Sequence, residues 1–96
     1  MITTKQRAYL RGLANKIEPI FQVGKGGISP NMVQQVNDAL EARELIKLSV
    51  LRNAEQTTRE LCDEMARLTG ADAVQCIGSR FVLYKKSREH QRIFLD

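Results

Sequence analysis

Residues 24–27, Gly-Lys-Gly-Gly, are the part of the chain whose residue types and spacing could do chemistry. They separate a short apolar segment from a Ser29-Pro30 pair. The P-loop pattern G-x-x-x-x-G-K-[ST] fails because no Lys-Ser or Lys-Thr follows the last glycine at the required spacing. The pattern G-x-G-x-x-G fails because Ser29 occupies the place of the third glycine, and the chain is too short for a dinucleotide-binding fold. Nucleotide hydrolysis and hydride transfer are therefore not expected.

The G-x-x-G element that remains has the parts needed to hold an anion. Glycines let the backbone approach a ligand closely, a helix that begins just after them offers unpaired N–H groups, and Lys25 adds a mobile positive charge. The KH-type RNA-binding module uses a G-x-x-G loop to clamp nucleotides. A plain turn is the alternative that four residues alone leave open.

No other residues suggest catalysis or metal binding. The only histidine, His90, lies in a charged C-terminal segment, and Cys62 and Cys76 do not form a C-x-x-C pair. The carboxylates of the third predicted helix have the spacing of solvent-facing charge. We expect no catalytic site, no metal and no cofactor, and we interpret the cysteines as reduced thiols of a cytoplasmic protein.

Composition favours one compact domain in the cytosol. The chain has 96 residues, of which 43% are hydrophobic, which is enough for a modest core without cross-links. No apolar run approaches the roughly 20 residues of a membrane span, and the N-terminal segment lacks the apolar stretch of a secretion signal. We expect no membrane partner.

The distribution of charge is more informative than the formal net charge of +4. Residues 1–37 carry five basic and one acidic side chains, residues 38–72 carry five and eight, and residues 73–96 carry five and two. If the two basic ends meet in the fold, they form one positive face that attracts a polyanion. Chance asymmetry of a solvated surface is the alternative.

Three amphipathic helices are predicted from apolar spacing and caps. The first is capped by Thr3 or Thr4 and ends at Pro19, the second starts at Ser29-Pro30, and the third lies between Thr57 and Gly70. Their buried stripes are Leu10, Leu13, Ala14 and Ile17 in the first, Met32, Val33, Val36 and Leu40 in the second, and Leu61, Met65 and Leu68 in the third.

Four β-prone segments lie between and after these helices: IFQV, ELIKLSVL, AVQCI and FVLYK. Gly78-Ser79 suits a tight hairpin turn between the last two. The order α-β-α-β-α-β-β predicts a two-layer α/β fold with a mixed four-stranded sheet in a single domain. Residues 2–87 form its core, and the charged tail 88–96 either frays or docks through Ile93, Phe94 and Leu95.

Four blocks of sequence, TTKQRAYLRGLA, VGKGG, ALEARELIKL and CIGSRFVLYKKS, together resemble the CRM domain (chloroplast RNA splicing and ribosome maturation) over residues 2–87. The whole chain is similar to the stand-alone bacterial YhbY-type members. The resemblance implies an RNA-binding domain with a fold similar to the C-terminal domain of translation initiation factor three. Family members of this kind associate with precursors of the large ribosomal subunit, and plant relatives act in group II intron splicing.

The resemblance also implies that Gly24, Lys25, Gly26 and Gly27 contact RNA. The family pattern often has another residue at position 26 or 27, so we expect this loop to be more flexible. Further cations are candidates for contact with the RNA backbone. They are Lys5, Arg7, Arg11, Lys47, Arg80, Lys85 and Lys86. Alternation in the last strand assigns Phe81 to the core and makes Tyr84 the candidate for base stacking.

The leading hypothesis is a monomeric, non-enzymatic RNA-binding protein that binds ribosomal RNA precursors and assists large-subunit assembly. No small-molecule substrate is expected. The alternative is a protein-interaction module that docks on a ribosomal protein or GTPase through the acidic third helix or the apolar end of the tail. A small hydrolase is a third possibility, but the chain offers no catalytic constellation for one.

Overall fold

In the structure, a computed structural model that describes residues 1–95, three helices accompany one four-stranded sheet in the predicted order. The helices are α1 (Thr4–Ala14), α2 (Pro30–Arg43) and α3 (Thr58–Thr69). The strands are β1 (Pro19–Val23), β2 (Leu45–Val50), β3 (Asp72–Ile77) and β4 (Arg80–Tyr84).

The helices begin at the residues that the sequence predicts as caps. Thr3, Ser29 and Thr57 each accept a hydrogen bond from a backbone N–H in the first turn of their helix, which replaces a missing intrahelical partner. Gly70 ends α3 in the left-handed conformation with φ 77°. The end of α1 differs from the prediction, because the helix stops at Ala14 and Pro19 is already the first residue of β1.

The strand order is β1-β2-β4-β3, with β1 parallel to β2 and the other neighbours antiparallel. The mixed sheet and the Gly78-Ser79 hairpin turn are thus confirmed. Because β1 and β2 run the same way and β4 runs against them, the C-terminal ends of β1 and β2 lie at the same end of the strands as the hairpin turn. The Val50 N–H at the end of β2 donates to the Ser79 carbonyl in that turn at 2.6 Å. We call this end of the strands the loop edge of the sheet.

Helices cover both faces of the sheet, so the predicted α/β fold is confirmed but the two-layer description is not sufficient. Helices α2 and α3 pack on one face, where the core contains Ile46, Leu48, Phe81 and Leu83 of the sheet. Helix α1 packs alone on the other face against Leu45, Val74, Val82 and Tyr84. The strands β2 and β4 alternate apolar residues toward both faces, which makes room for this third layer.

Two apolar predictions need adjustment. Leu68 is 41% exposed, because the buried face of α3 centres on Met65 and leaves Leu68 at its margin. The C-terminal tail docks: Ile93 and Leu95 pack against the α1-side cluster, whereas Phe94 between them is exposed.

Candidate nucleic-acid interface

Residues 24–27, hereafter the glycine loop, form a tight turn at the loop edge. The Gly27 N–H donates to the Gly24 carbonyl at 3.0 Å, and Gly27 has φ 67°, a conformation that favours glycine. The loop rests on the segment between β2 and α3. A Cβ on Gly24 would lie 3.3 Å from atoms of Leu51 and Asn53. The base of the loop is therefore closely packed.

The tip of the glycine loop is open. Lys25 and Gly26 are exposed, and a Cβ on Gly26 would have no heavy atom within 4 Å. Within residues 1–95, the N–H groups of Lys25 and Gly26 have no hydrogen-bond partner. Helix α2 begins a few residues behind, with Ser29 as its cap and Pro30 in its first turn. Free N–H groups, a helix N-terminus and a lysine thus surround one exposed position.

An open part of the α1 side of the sheet adjoins this loop. Gln22 pairs with Ser49, and Ser49 pairs with Arg80, so these three side chains cross the sheet in a row near the loop edge. Lys47 stands on the same face, one step farther from the edge along β2. We call these four residues the open sheet face; Lys47 and Arg80 supply its two cations.

A groove of about 520 Å³ runs beside the edge strand β3. Arg7 and Arg11 line it from α1, and Arg59 lines it from α3 on the opposite face of the sheet. The Arg7 Nε–H donates to the Ala73 carbonyl at 3.1 Å, which anchors α1 to β3. In the described part of the chain, none of the residues that line this arginine groove is acidic. Helix α1 therefore meets strand β3 at this groove, and the third cation of the groove, Arg59, comes from α3 rather than from the basic C-terminal segment.

Comparison with known proteins identifies the family at this point. Residues 2–85 match the CRS1/YhbY (CRM) domain. The chain belongs to the CRM domain family. It is 47% identical over 95 residues to the probable RNA-binding protein YqeI of Bacillus subtilis, with 99% of each chain covered. It is 34% identical to an RNA-binding protein of Haemophilus influenzae, over 92% of this chain and 89% of that one.

A solved structure gives the same result for the fold. The solution structure of a hypothetical Staphylococcus aureus protein, described as a candidate RNA-binding protein, matches this CRM domain with a TM-score of 0.83. The two chains are 49% identical, and the match covers 100% of both. The two proteins therefore share the same fold.

Three of the predicted site residues lie away from the glycine loop of the CRM domain. Lys85 and Lys86 follow β4, which ends at the edge of the sheet opposite the loop edge. The Lys85 ammonium donates to the Thr69 carbonyl at the C-terminus of α3 at 2.8 Å, so it has a structural partner. Lys5 lies on the flank of α1 that faces the tail.

The prediction that Tyr84 stacks on RNA bases is wrong. The residue is only 6% exposed, because α1 and the tail cover its face of the sheet. Burial raises the pKa of its hydroxyl, and the nearby carboxylates of Glu44 and Asp72 raise it further. Phe81 is fully buried on the other face, as predicted. Alternation along β4 is thus correct, but both of its faces are covered.

Two glutamates that the sequence did not single out organise the end opposite the glycine loop. Glu44 is fully buried, and its carboxylate accepts hydrogen bonds from the N–H groups of Ser87, Arg92 and Ile93. Glu41 accepts bonds from the Ser87 hydroxyl and from the next two N–H groups of the tail. We call these two carboxylates and the N–H groups they bind the glutamate clasp.

The pKa values of both clasp residues are lowered. Burial alone would raise the pKa of Glu44, but its three backbone donors outweigh burial and hold the pKa below the ordinary value. The Ser87 hydroxyl, followed by the Arg88 and Glu89 N–H groups, lowers the pKa of Glu41 to about 2. Both side chains are therefore ionised at neutral pH and act as fixed anions.

The remaining titratable groups offer little chemistry. Within residues 1–95, no three His, Cys, Asp or Glu side chains are placed to hold a metal ion. Burial raises the pKa of Cys62 to about 11, so its thiol is a poor nucleophile at neutral pH. His90 is exposed, and its backbone N–H donates to the Ser87 hydroxyl. No helix in the described part of the chain is long and apolar enough to cross a membrane.

Proposed function

We propose that this CRM domain is an RNA-binding protein that grips the RNA backbone with its glycine loop. The observation that carries the proposal is the open tip of that loop, where the N–H groups of Lys25 and Gly26 have no partner in the described chain. Two relatives are named as a probable RNA-binding protein and an RNA-binding protein, which supports RNA as the partner.

The loop and its surroundings suit a phosphate group. Because Gly26 has no side chain and open space around it, a phosphate oxygen can reach the backbone donors directly. Lys25 supplies a charge at the same point, and the N-terminus of α2 lies behind it. Lys47 and Arg80 on the open sheet face then continue the cationic path toward the arginine groove.

The contacts in this path are to the backbone rather than to base edges. The two aromatic residues of β4, Phe81 and Tyr84, are buried and cannot read bases. Cations and backbone N–H groups position a nucleic acid without specifying its sequence. We therefore propose recognition by the shape and charge of folded RNA.

The proposed RNA is ribosomal, and the proposed role is assembly of the large ribosomal subunit by a monomer that performs no catalysis. This part rests on the resemblance to stand-alone bacterial CRM proteins. Docking on a ribosomal protein or GTPase is the alternative. Nuclease treatment of precursor particles separates the two, because association through a protein survives RNA digestion and association through RNA does not.

The direct test compares two charge changes at opposite ends of the molecule. A Lys25→Glu variant reverses the charge of the glycine loop, and Lys86→Glu is the control, the same charge reversal at the opposite end of the strands. Binding to ribosomal RNA fragments is measured over a range of salt concentrations. We expect the loop variant to bind at least about tenfold more weakly, and the control to change much less. The salt slope, which is the slope of the logarithm of the binding constant against the logarithm of the salt concentration, should fall in magnitude by about one in the loop variant.

Two results would contradict the proposal. Equal losses in both variants would mean that only total charge matters, and the loop would then have no specific role. Salt-insensitive binding, or no RNA binding by the wild-type protein, would remove the proposed function itself.

A further inference from the structure

Two aromatic rings, Tyr9 and Phe94, are exposed side by side in the structure. Tyr9 is 56% exposed and Phe94 is 73% exposed, whereas the rings of β4 are buried. Both line a shallow groove of about 240 Å³ together with Lys5, Gln6 and Leu95. An exposed pair of large rings is unusual in a chain with only five aromatic residues.

The fold fixes the backbone that carries both rings. Tyr9 projects from α1, whose N-terminus is secured by the capping box of Thr3 and Gln6. Phe94 stands between Ile93 and Leu95, which pack on the α1-side cluster. The Ile93 N–H donates to the Glu44 carboxylate at 2.7 Å, so the glutamate clasp sets the position of the neighbouring Phe94. The backbone beneath both rings is therefore preorganised, which lowers the entropy lost when a ligand binds.

The lining of the groove indicates what it binds. Among residues 1–95, its lining combines two aromatic side chains with Lys5 and contains no carboxylate. A flat, uncharged ring joined to an anion matches this arrangement, because the ring stacks on the aromatic side chains while the anion pairs with lysine. An unpaired nucleotide is such a ligand. A base within a duplex is not, because both of its faces are already stacked.

We infer that Tyr9 and Phe94 form a stacking site for an unpaired RNA base, with Lys5 contacting the adjoining phosphate. The inference rests on the proposed RNA-binding function and adds a second contact on the other flank of α1 from the arginine groove. It also gives Lys5, which lies apart from the glycine loop, a place in RNA binding. The site prefers single-stranded or bulged segments, whereas the glycine loop contacts only the backbone.

The test compares Tyr9→Leu and Phe94→Leu with Leu68→Ala, a control that shortens an exposed apolar residue on α3. The probes are single-stranded oligoadenylate and a blunt RNA duplex of equal phosphate count. We expect each ring variant to bind oligoadenylate about tenfold more weakly, within the range for loss of one stacking aromatic, with an unchanged salt slope. Binding to the duplex and the behaviour of the control should match the wild-type protein.

Tyrosine fluorescence provides a second readout of the same site. The chain has two tyrosines and no tryptophan, and a Tyr84→Phe variant leaves Tyr9 as the only emitter. Oligoadenylate should quench that emission if a base stacks on the ring, and the duplex should not. Circular dichroism of each variant establishes that it remains folded. This is expected because Tyr9 and Phe94 are largely exposed, and because Tyr84→Phe keeps the buried ring and removes only its hydroxyl.

The outcomes separate this inference from the proposed function. If the wild-type protein binds both probes but the ring variants are unchanged and Tyr9 is not quenched, the stacking site is wrong while RNA binding stands. A reduced salt slope in the ring variants would also overturn stacking, since it would indicate lost phosphate contacts. If the ring variants lose only nuclease-resistant association with precursor particles, the rings bind protein and the inference fails.

Discussion

Backbone N–H groups are used in opposite ways at the two ends of the strands, the loop edge and the end that carries the glutamate clasp. At the glycine loop, Lys25 and Gly26 are exposed and their N–H groups have no partner in residues 1–95. In the glutamate clasp, N–H groups of the tail are bound by two carboxylates of the same chain. An anion supplied by the chain stabilises the fold, whereas donors without one remain available to a ligand.

The clasp also holds an uncommon backbone conformation. Glu44 has φ 68°, and it is the only residue other than glycine with positive φ in residues 1–95. Such a residue persists only where its surroundings determine it, and here the carboxylate bonds and the Lys85 N–H bond to the Glu44 carbonyl do so. The positive φ turns the chain sharply from α2 into β2. By contrast, the positive φ of the glycine loop falls on Gly27, where it costs little.

Breaking the clasp should have the largest effect on stability. We expect Glu44→Gln to lower the free energy of unfolding by about 3 kcal/mol, because it removes charge-assisted hydrogen bonds from a buried site. Urea unfolding measures the change. The control is Glu55→Gln, which alters an exposed glutamate near the loop edge and should change stability by less than about 0.5 kcal/mol. Equal stability of the two variants would mean that the clasp contributes nothing.

Acid should weaken the clasp without changing any residue. Because the pKa values of Glu41 and Glu44 are lowered in the folded state, their contribution is complete above the unfolded value near 4.5. It is lost as the pH falls toward about 2, the pKa of Glu41. NMR titration should show the amide protons of Ser87 and Ile93 shifting in this window while that of Gly26 does not. Equal shifts of the Gly26 amide proton and of the clasp amide protons would mean that the clasp carboxylates do not cause the change.

A matched pair of alanine substitutions tests how the glycine loop is built. Gly27→Ala should lower stability by about 1 kcal/mol, because the position has φ 67° and its Cβ would lie 3.2 Å from the Gln56 side-chain oxygen. Gly26→Ala should be nearly neutral, because that position has open space. Thermal unfolding should separate the two by about 4–8 °C. If Gly26→Ala is the more destabilising change, the tip of the loop is more constrained than its base.

The smallest expected effect concerns the arginine groove, which lies beside the edge strand β3. Removing one phosphate contact with Arg59→Ala should weaken RNA binding about threefold near physiological salt and reduce the salt slope by about one. Arg67→Ala changes the same charge on the same helix but outside the groove. Filter binding at several salt concentrations measures the RNA affinity of both variants. Equal effects of the two variants would exclude the groove from the RNA path.

Local signals account for the parts of this protein that were predicted well. The caps at Thr3, Ser29 and Thr57 and the stop at Gly70 depend on residues within one turn, and all lie where expected. The four strands and the Gly78-Ser79 turn follow from short runs of β-prone residues. The glycine loop was found for the same reason, since its composition and its position between a strand and a capped helix are visible along the chain.

Long-range contacts account for what was missed. The carboxylate of Glu44 binds N–H groups 43 to 49 residues away, and no short pattern around it indicates this role. Tyr84 was expected to be open to solvent, but the strand order places β4 between β2 and β3 and under α1. The cations proposed to contact RNA were identified as residue types, and only the fold shows that Arg80 and Lys86 lie at opposite ends of β4.

The amino-acid sequence by itself determined the elements, their caps, the glycine loop and membership of an α/β family, because these depend on neighbours within a few residues. The tertiary structure decided which backbone N–H donors are bound by a carboxylate of the same chain and which have no partner in residues 1–95. That decision depends on where distant side chains meet: Glu41 and Glu44 reach the tail, while no carboxylate of residues 1–95 binds the N–H groups of Lys25 and Gly26. Electrostatic and hydrogen-bonding partners act over a few ångströms in space, whatever their separation along the chain.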